Sequence, residues 1–170
     1  MPRRYPQPMR RIAVFGSGGS GKTWLAARIS KELDLPVHGL DGLFVRDAMP
    51  IADVERRQRE LVDGDRWVIE GNHLPTASIR LATADTVVYL DRSTVACLGG
   101  LGRRWFARGI RDEGWITARY AWHVATFRRR RRPEILRLLS TERTGSLVVL
   151  RTGREMRAFL ASLGRSADQR

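Results

Sequence analysis

Eight consecutive residues, Gly16-Ser17-Gly18-Gly19-Ser20-Gly21-Lys22-Thr23, carry the most specific chemical pattern of the chain, G-x-x-x-x-G-K-[ST]. Glycines let a backbone wind tightly enough for several amide N–H groups to face one anion. A helix that begins near Lys22 adds the positive end of its dipole. In this pattern the lysine reaches the β- and γ-phosphates of a nucleotide and the threonine hydroxyl is offered to Mg2+. The run therefore reads as a cradle for the phosphates of ATP, with GTP left open. A chance Gly-Ser turn would match less well, because an apolar segment leads into the loop and a helical pattern leads out of it.

The elements that must position this loop follow from periodicity. Strand-like runs alternate with helical patterns along the chain, which points to a parallel sheet covered by helices on both faces. The spacing predicts strands over Arg11–Phe15, Pro36–Leu40, Arg66–Glu70, Asp85–Asp91 and Leu147–Leu150. A helix is expected from Lys22 to Leu33, with Leu25, Ile29 and Leu33 in one stripe, and another from a capping Asp53 to about Val62. Ser93 is placed to cap a further helix, which Gly99, Gly100 and Gly102 weaken. Trp115 to Arg132 is helical again, with Ile116, Tyr120, Val124 and Phe127 as its buried stripe. Pro133 suits the first turn of a helix through Leu139, and Met156, Phe159, Leu160 and Leu163 mark a closing amphipathic helix.

Bulk properties bound the possibilities. A chain of 170 residues with 42% hydrophobic content suits one folded domain. Lys plus Arg number 31 against 18 Asp plus Glu, a net charge of +13, which favours partners bearing phosphate: nucleotide, nucleic acid or an anionic surface. Lys22 and Lys31 are the only lysines. GC-rich coding alone would fill a surface with arginine, which makes a lysine at position 22 the more telling residue. Cys97 is the single cysteine, so no disulfide forms within the chain, in keeping with a reducing compartment. The apolar run Ile12–Phe15 is too short for a signal-peptide core or a membrane span. A cytoplasmic protein with no membrane insertion is expected. Residues 1–10 are expected to be a basic tail, 11–165 a single domain and 166–170 a second tail, with Met1 and Met9 both open as the start.

Beyond the loop, the chain resembles adenylate kinase-like small-molecule kinases, and more closely the bacterial topology modulation, or FlaR-like, proteins of that superfamily. The matching pieces, in order, are Gly16–Thr23, His38-Gly-Leu-Asp-Gly-Leu-Phe44, Trp67-Val-Ile-Glu-Gly-Asn72, Ala84-Asp-Thr-Val-Val-Tyr-Leu-Asp91, Phe127 with Arg128 to Arg132, and Val148-Val-Leu-Arg-Thr152. They span nearly the whole chain. The resemblance implies a three-layer α/β/α P-loop NTPase fold with a five-stranded parallel sheet and an arginine-rich helical lid at about 99–132. It also implies roles. Asp41, just past the second strand, is a candidate base or acceptor contact, the alternative being a turn residue beside Gly42. Glu70 is the first choice for the Mg2+ shell, and Asp91 its rival. Asn72 and Arg80 are candidate acceptor contacts, with His73 a loop neighbour. Related kinases carry an arginine soon after the Glu70 position; here none occurs before Arg80, which argues against a nucleoside monophosphate acceptor. Arg104, Arg108 and Arg111 rank first among lid arginines whose forks would offset phosphoryl charge, and the nearby glycines are candidate hinges. Arg151 and Thr152 fall where related kinases cradle the adenine.

Three functions fit these residues: an ATP-dependent kinase of a small molecule, with a nucleotide- or nucleoside-like acceptor among the candidates, a nucleic-acid-associated ATPase of the DNA topology modulation type, and a regulatory nucleotide binder with little turnover. A GTPase would need N-K-x-D for guanine, and no such run occurs. Trp105, Trp115 and Trp122 lie among the arginines, where they either stack on bases or, at helical spacing, fill a core.

Overall fold

A computed structural model describes Tyr5 and residues 9–40, 50–108 and 114–167, with 108, 114–117 and 165–167 described as backbone alone. Five strands, β1 (Arg11–Gly16), β2 (Val37–Gly39), β3 (Trp67–Glu70), β4 (Thr86–Leu90) and β5 (Ser146–Leu150), form one parallel sheet in the order β2-β3-β1-β4-β5. The expected strands are thus found, each within one or two residues of its bounds. β1 lies at the centre because both of its faces are apolar: Ile12 and Val14 enter one core cluster, Ala13 and Phe15 the other. Successive side chains of a strand point to opposite faces, so a wholly apolar strand demands cover on both sides.

Seven helices among the described residues supply it: α1 (Lys22–Leu33), α2 (Ile51–Val62), α3 (Ala77–Thr83), α4 (Thr94–Arg108), α5 (Gly114–Arg130), α6 (Arg132–Thr141) and α7 (Gly153–Ala167). Leu25, Ala26 and Ile29 of α1 pack with Met156, Phe159 and Leu163 of α7 on one face of the sheet. The other face is covered by Val62 of α2, Leu81 of α3, Phe127 of α5 and Ile135 and Leu138 of α6. A third, smaller cluster of Cys97, Leu101 and Val124, joined by Trp105 and Tyr120, ties α4 to α5. Asp85 locks the start of the sheet, its Oδ2 accepting the backbone N–H of Arg10 and of Arg11 at 2.8 Å each.

Several expectations are revised. α2 begins at Ile51 behind Pro50, so Asp53 sits inside its first turn and pairs with Arg56 at 2.8 Å. α4 runs for 15 residues through Gly99, Gly100 and Gly102; Ser93 caps it as expected, its Oγ accepting from Ala96 N at 3.2 Å. A 3-10 turn (Leu74–Thr76) and α3 occupy a stretch that none of the expected elements covers. Met9 is 4% exposed within the core and the Tyr5 ring meets Phe159 edge-on at 4.9 Å, so part of the expected basic tail belongs to the packed domain. Among the described residues, no helix is long and apolar enough to cross a membrane.

Phe159 is fully buried between α7 and the sheet, whereas Phe106 on α4 is 90% exposed. Phe159→Ala is expected to cost about 3–5 kcal/mol of unfolding free energy and Phe106→Ala less than about 0.5 kcal/mol. Urea unfolding of the two variants checks this, and equal midpoints would refute the assignment of the core.

Candidate functional site

The loop leaves the sheet where Gly16 of β1 stands in register with Leu90 of β4. It ends at Gly21, the N-cap of α1, whose φ of 95° lies in the left-handed region that glycine adopts without penalty. Other backbone segments close around the turn. Asn72, two residues past β3, pairs with both polar groups of Gly16: Gly16 N donates to its Oδ1 at 3.0 Å and its Nδ2 donates to Gly16 O at 2.5 Å. A Cβ on Gly19 would collide with the carbonyl of Cys97, and a Cβ on Gly100 with the carbonyl of Gly19. A Cβ on Gly18 would strike the Tyr120 hydroxyl and Val124. α4 therefore rests on the loop through a backbone-to-backbone approach, and α5 through the side chains of Tyr120 and Val124. Gly100 serves that approach; Gly99 and Gly102, with nothing within 4 Å of a Cβ, do not.

Inside the turn, Lys22 is 6% exposed and its Nζ donates to Ser17 O at 3.3 Å, folded back over the loop. The Ser20 hydroxyl is fully buried and has no hydrogen-bond partner among the described residues. A buried orphan hydroxyl in a glycine-walled nest is an arrangement that a phosphate oxygen would satisfy. Glu70, at the end of β3, lies in register with Val14, and its Oε1 accepts the Thr23 hydroxyl at 2.9 Å. Thr23 and Glu70, the two residues expected to serve a metal, are thus brought together. A hydroxyl and a carboxylate suit Mg2+, which takes oxygen ligands and keeps several waters or phosphate oxygens.

Asp91 occupies the corresponding place at the end of β4, with a different electrostatic setting. Arg132 Nε and Nη2 each donate to it at 2.8 Å, one to each oxygen. That hydrogen-bonded pairing holds its carboxyl below the usual range, against a contrary push from burial and with help from the charges of Arg132, Arg128 and Arg151. As the rival for the metal, Asp91 is already committed to guanidinium. Burial first, and the charge of Asp91 second, push the neighbouring Tyr89 phenol up to about 12.

Arg80 is corrected from an expected acceptor contact to a buried group. Its guanidinium has 0% exposure, lies 4.5 Å over the Phe15 ring, and donates to Gln58 Oε1 at 2.9 Å and Gly71 O at 3.0 Å. Gln58 in turn donates to Thr76 Oγ1, which lies 2.8 Å from His73 Nδ1. This chain ties α2 to the segment following β3. Asn72, also expected at the acceptor, spends its amide on Gly16. Thr152 caps α7 in a reciprocal box: Glu155 N donates to Thr152 Oγ1 at 3.1 Å, while Glu155 Oε2 accepts Arg151 N at 2.6 Å and Thr152 N at 3.3 Å.

Arg104 is exposed on α4, one turn beyond the Gly100 contact and on the same face. Arg108 ends α4 with its side chain undescribed, and Asp41 and Arg111 lie outside the described residues. Of the tryptophans, Trp105 packs in the small third cluster and Trp122 is 64% exposed; the Trp115 side chain is not described. Two features had readable signals. Thr152-x-x-Glu155 is a capping-box pattern, and Leu74, Ala77, Leu81 and Ala84 follow helical spacing. The Asn72 clamp and the Gly100 contact had none, because their partners are remote in sequence.

With this geometry in place, the fold can be compared with known structures. Shikimate kinase from Acinetobacter baumannii in complex with shikimate is similar at 15% identity and a TM-score of 0.58, over 96% of each chain. A deoxyadenosine kinase from M. mycoides matches at 16% identity and a TM-score of 0.57, over 94% of this chain and 99% of the other. A sugar kinase from Janibacter sp. matches at 18% identity and a TM-score of 0.54, over 95% and 94%. At such identities the likeness establishes the fold alone, a five-stranded parallel α/β sheet of the kind seen in these kinases. No protein-family model and no curated protein sequence matches the chain.

Two outcomes follow from the site. Gly100→Ala is expected to destabilise the protein by about 1–3 kcal/mol through overpacking against Gly19, while Gly99→Ala and Gly102→Ala are expected to be neutral or stabilising by roughly 0.5–1 kcal/mol. Thermal melts of the three variants check the contrast, and a tolerated Gly100→Ala would refute it. Tyr89 is raised above its ordinary value of 10, so its contribution to stability is whole below about pH 10 and is lost as pH rises towards 12. Tyrosinate absorbance should show one of the three tyrosines titrating near 12 in the folded protein; the Tyr89→Phe variant should lack that late step.

Proposed function

We propose that the chain is an ATP-dependent small-molecule kinase that transfers the γ-phosphoryl group of ATP to a hydroxyl of its acceptor. The observation that carries this reading is the convergence of Lys22, Thr23 and Glu70 on one glycine-built turn. Backbone amides and Lys22 would hold the polyphosphate; Thr23 and Glu70 would hold Mg2+, which would offset phosphate charge when bound. In the transfer, the acceptor oxygen bonds to the γ-phosphorus as the bond to the ADP oxygen breaks, and Asp41 takes the hydroxyl proton. Arg104, Arg108 and Arg111 would offset charge on the phosphoryl oxygens, and the backbone of Arg151 with Thr152 would flank the base at the turn that the Glu155 box caps. Arg80 supports this site from behind. The neighbours named for shikimate, deoxyadenosine and sugar make a hydroxyl-bearing small molecule the first class to test. The ordered motifs shared with topology modulation proteins support membership of that group, and a lone, buried Cys97 suits a cytoplasmic setting. A second reading, a nucleic-acid-stimulated ATPase, draws on the net charge of +13 and the exposed Trp122.

The test is a panel of hydroxyl-bearing acceptors with ATP and Mg2+, read by mass spectrometry of the phosphorylated product. One acceptor is expected to gain phosphate, and Lys22→Ala to slow that reaction by roughly a hundredfold or more. Turnover that survives Lys22→Ala removes the lysine from its assigned role. Hydrolysis that DNA accelerates, with no acceptor phosphorylated, transfers the case to the second reading.

A further inference from the structure

One buried carboxylate at the carboxyl end of β4 gathers three arginines, two flanking the α5–α6 junction and one just past β5. Asp91 is 6% exposed and follows directly on Leu90, the residue in register with Gly16 where the phosphate loop leaves the sheet. Arg132, at the start of α6, takes both of its oxygens at 2.8 Å. Arg128, in the last turn of α5, brings Nη1 to 4.0 Å from Oδ1, and Arg151, just past β5, brings Nε to 3.9 Å from Oδ2. Those two separations exceed a hydrogen bond, yet lie well within the Coulomb range of a buried charge. The side chains also differ in exposure, 30% for Arg132 against 42% and 62% for Arg128 and Arg151. The cluster thus has a fixed member and two attracted ones. Three guanidiniums against one carboxylate leave two positive charges uncompensated within it, beside a loop built for polyphosphate.

We propose that Asp91 is a positioning residue for nucleotide phosphate. Bolted by Arg132, it draws Arg151 by charge, and Arg128 by charge beside that side chain's own hydrogen bond to Arg92 O at 3.4 Å, to the rim of the loop, where their planar forks meet the phosphates of the bound nucleotide. Arg132 is then part of the scaffold, and Arg128 and Arg151 are the ligand-facing pair. This inference rests on the phosphate-loop reading above and adds to it the carboxylate on which the pair depends. It makes an unusual prediction of sign. Removing a negative charge near a polyanion site should tighten binding by simple electrostatics; if Asp91 positions the arginines, removing it weakens binding instead.

Isothermal titration with Mg-ATP, ADP and AMP on the wild type, Asp91→Asn, Asp91→Glu, Arg128→Gln and Arg151→Gln tests the proposal. Asp91→Asn is expected to raise the ATP dissociation constant about tenfold, and each arginine variant to do the same. The ratio of ATP to AMP affinity is expected to shrink in all three, which a general loosening of the fold would not produce, and Asp91→Glu is expected to recover part of the loss. ATP affinity that is unchanged or higher in Asp91→Asn overturns the proposal. Where Asp91→Asn melts below the assay temperature, the two exposed arginine variants decide alone, and an unaltered ATP-to-AMP ratio in both overturns it. A folded wild type that binds neither ATP nor GTP overturns the phosphate-loop reading itself, an outcome distinct from variants that bind as the wild type does.

Discussion

The turn between β1 and α1 is held by backbone, and the candidate site depends on that constraint. Gly16 is gripped at both its N–H and its carbonyl by Asn72, and Gly19 lies so close to Cys97 and Gly100 that neither glycine has room for a side chain. A nest of amides attracts an anion only while its dipoles stay aligned, and alignment is what such close contacts preserve. Side-chain packing would adjust to small movements; carbonyl against Cα has no rotamer to yield. α4 is thereby coupled to the loop mechanically, through a pair of glycines on separate elements.

Electrostatics then divide the two sides of β1. On the β3 side, Glu70 meets the Thr23 hydroxyl. On the β4 side, Asp91 is matched by Arg132 and attended by two more arginines. A cation approaching the carboxyl edge of the sheet therefore finds its favourable potential on one side only, and an anion finds it on the other. The arginine-rich composition has two distinct uses here. Arg80 is wholly interior, fixed over Phe15 and against Gln58 and Gly71, whereas Arg104 and Arg151 stand at the surface. Charge summed over the sequence cannot separate them.

Much of the architecture was legible because it rests on local periodicity. Apolar runs such as Thr86–Leu90, buried at every position, announce strands covered on both faces, and the glycine-lysine pattern announces the loop between the first strand and helix. α4 was harder to read. Three glycines lower helix propensity, yet the helix persists because packing against the loop outweighs that cost. Arg80 was misjudged since its partners, Gln58 and Gly71, sit on other elements, and nothing in the spacing signals a guanidinium turned inward. Asn72 reads as an acceptor contact by its position after β3; its actual engagement with Gly16 emerges only once β3 lies beside β1.

Sequence separation has a last consequence. The Asn72–Gly16 pair spans 56 residues, Thr23–Glu70 spans 47 and Asp91–Arg132 spans 41. None of these links can form until distant strands have met, and such non-local closures come late and slowly in folding. A partly assembled chain therefore has the glycine-rich segment but no organised receptor. Any ligand that needs the finished turn discriminates completely against the unfolded ensemble, so its binding energy appears in full as protection of the native state.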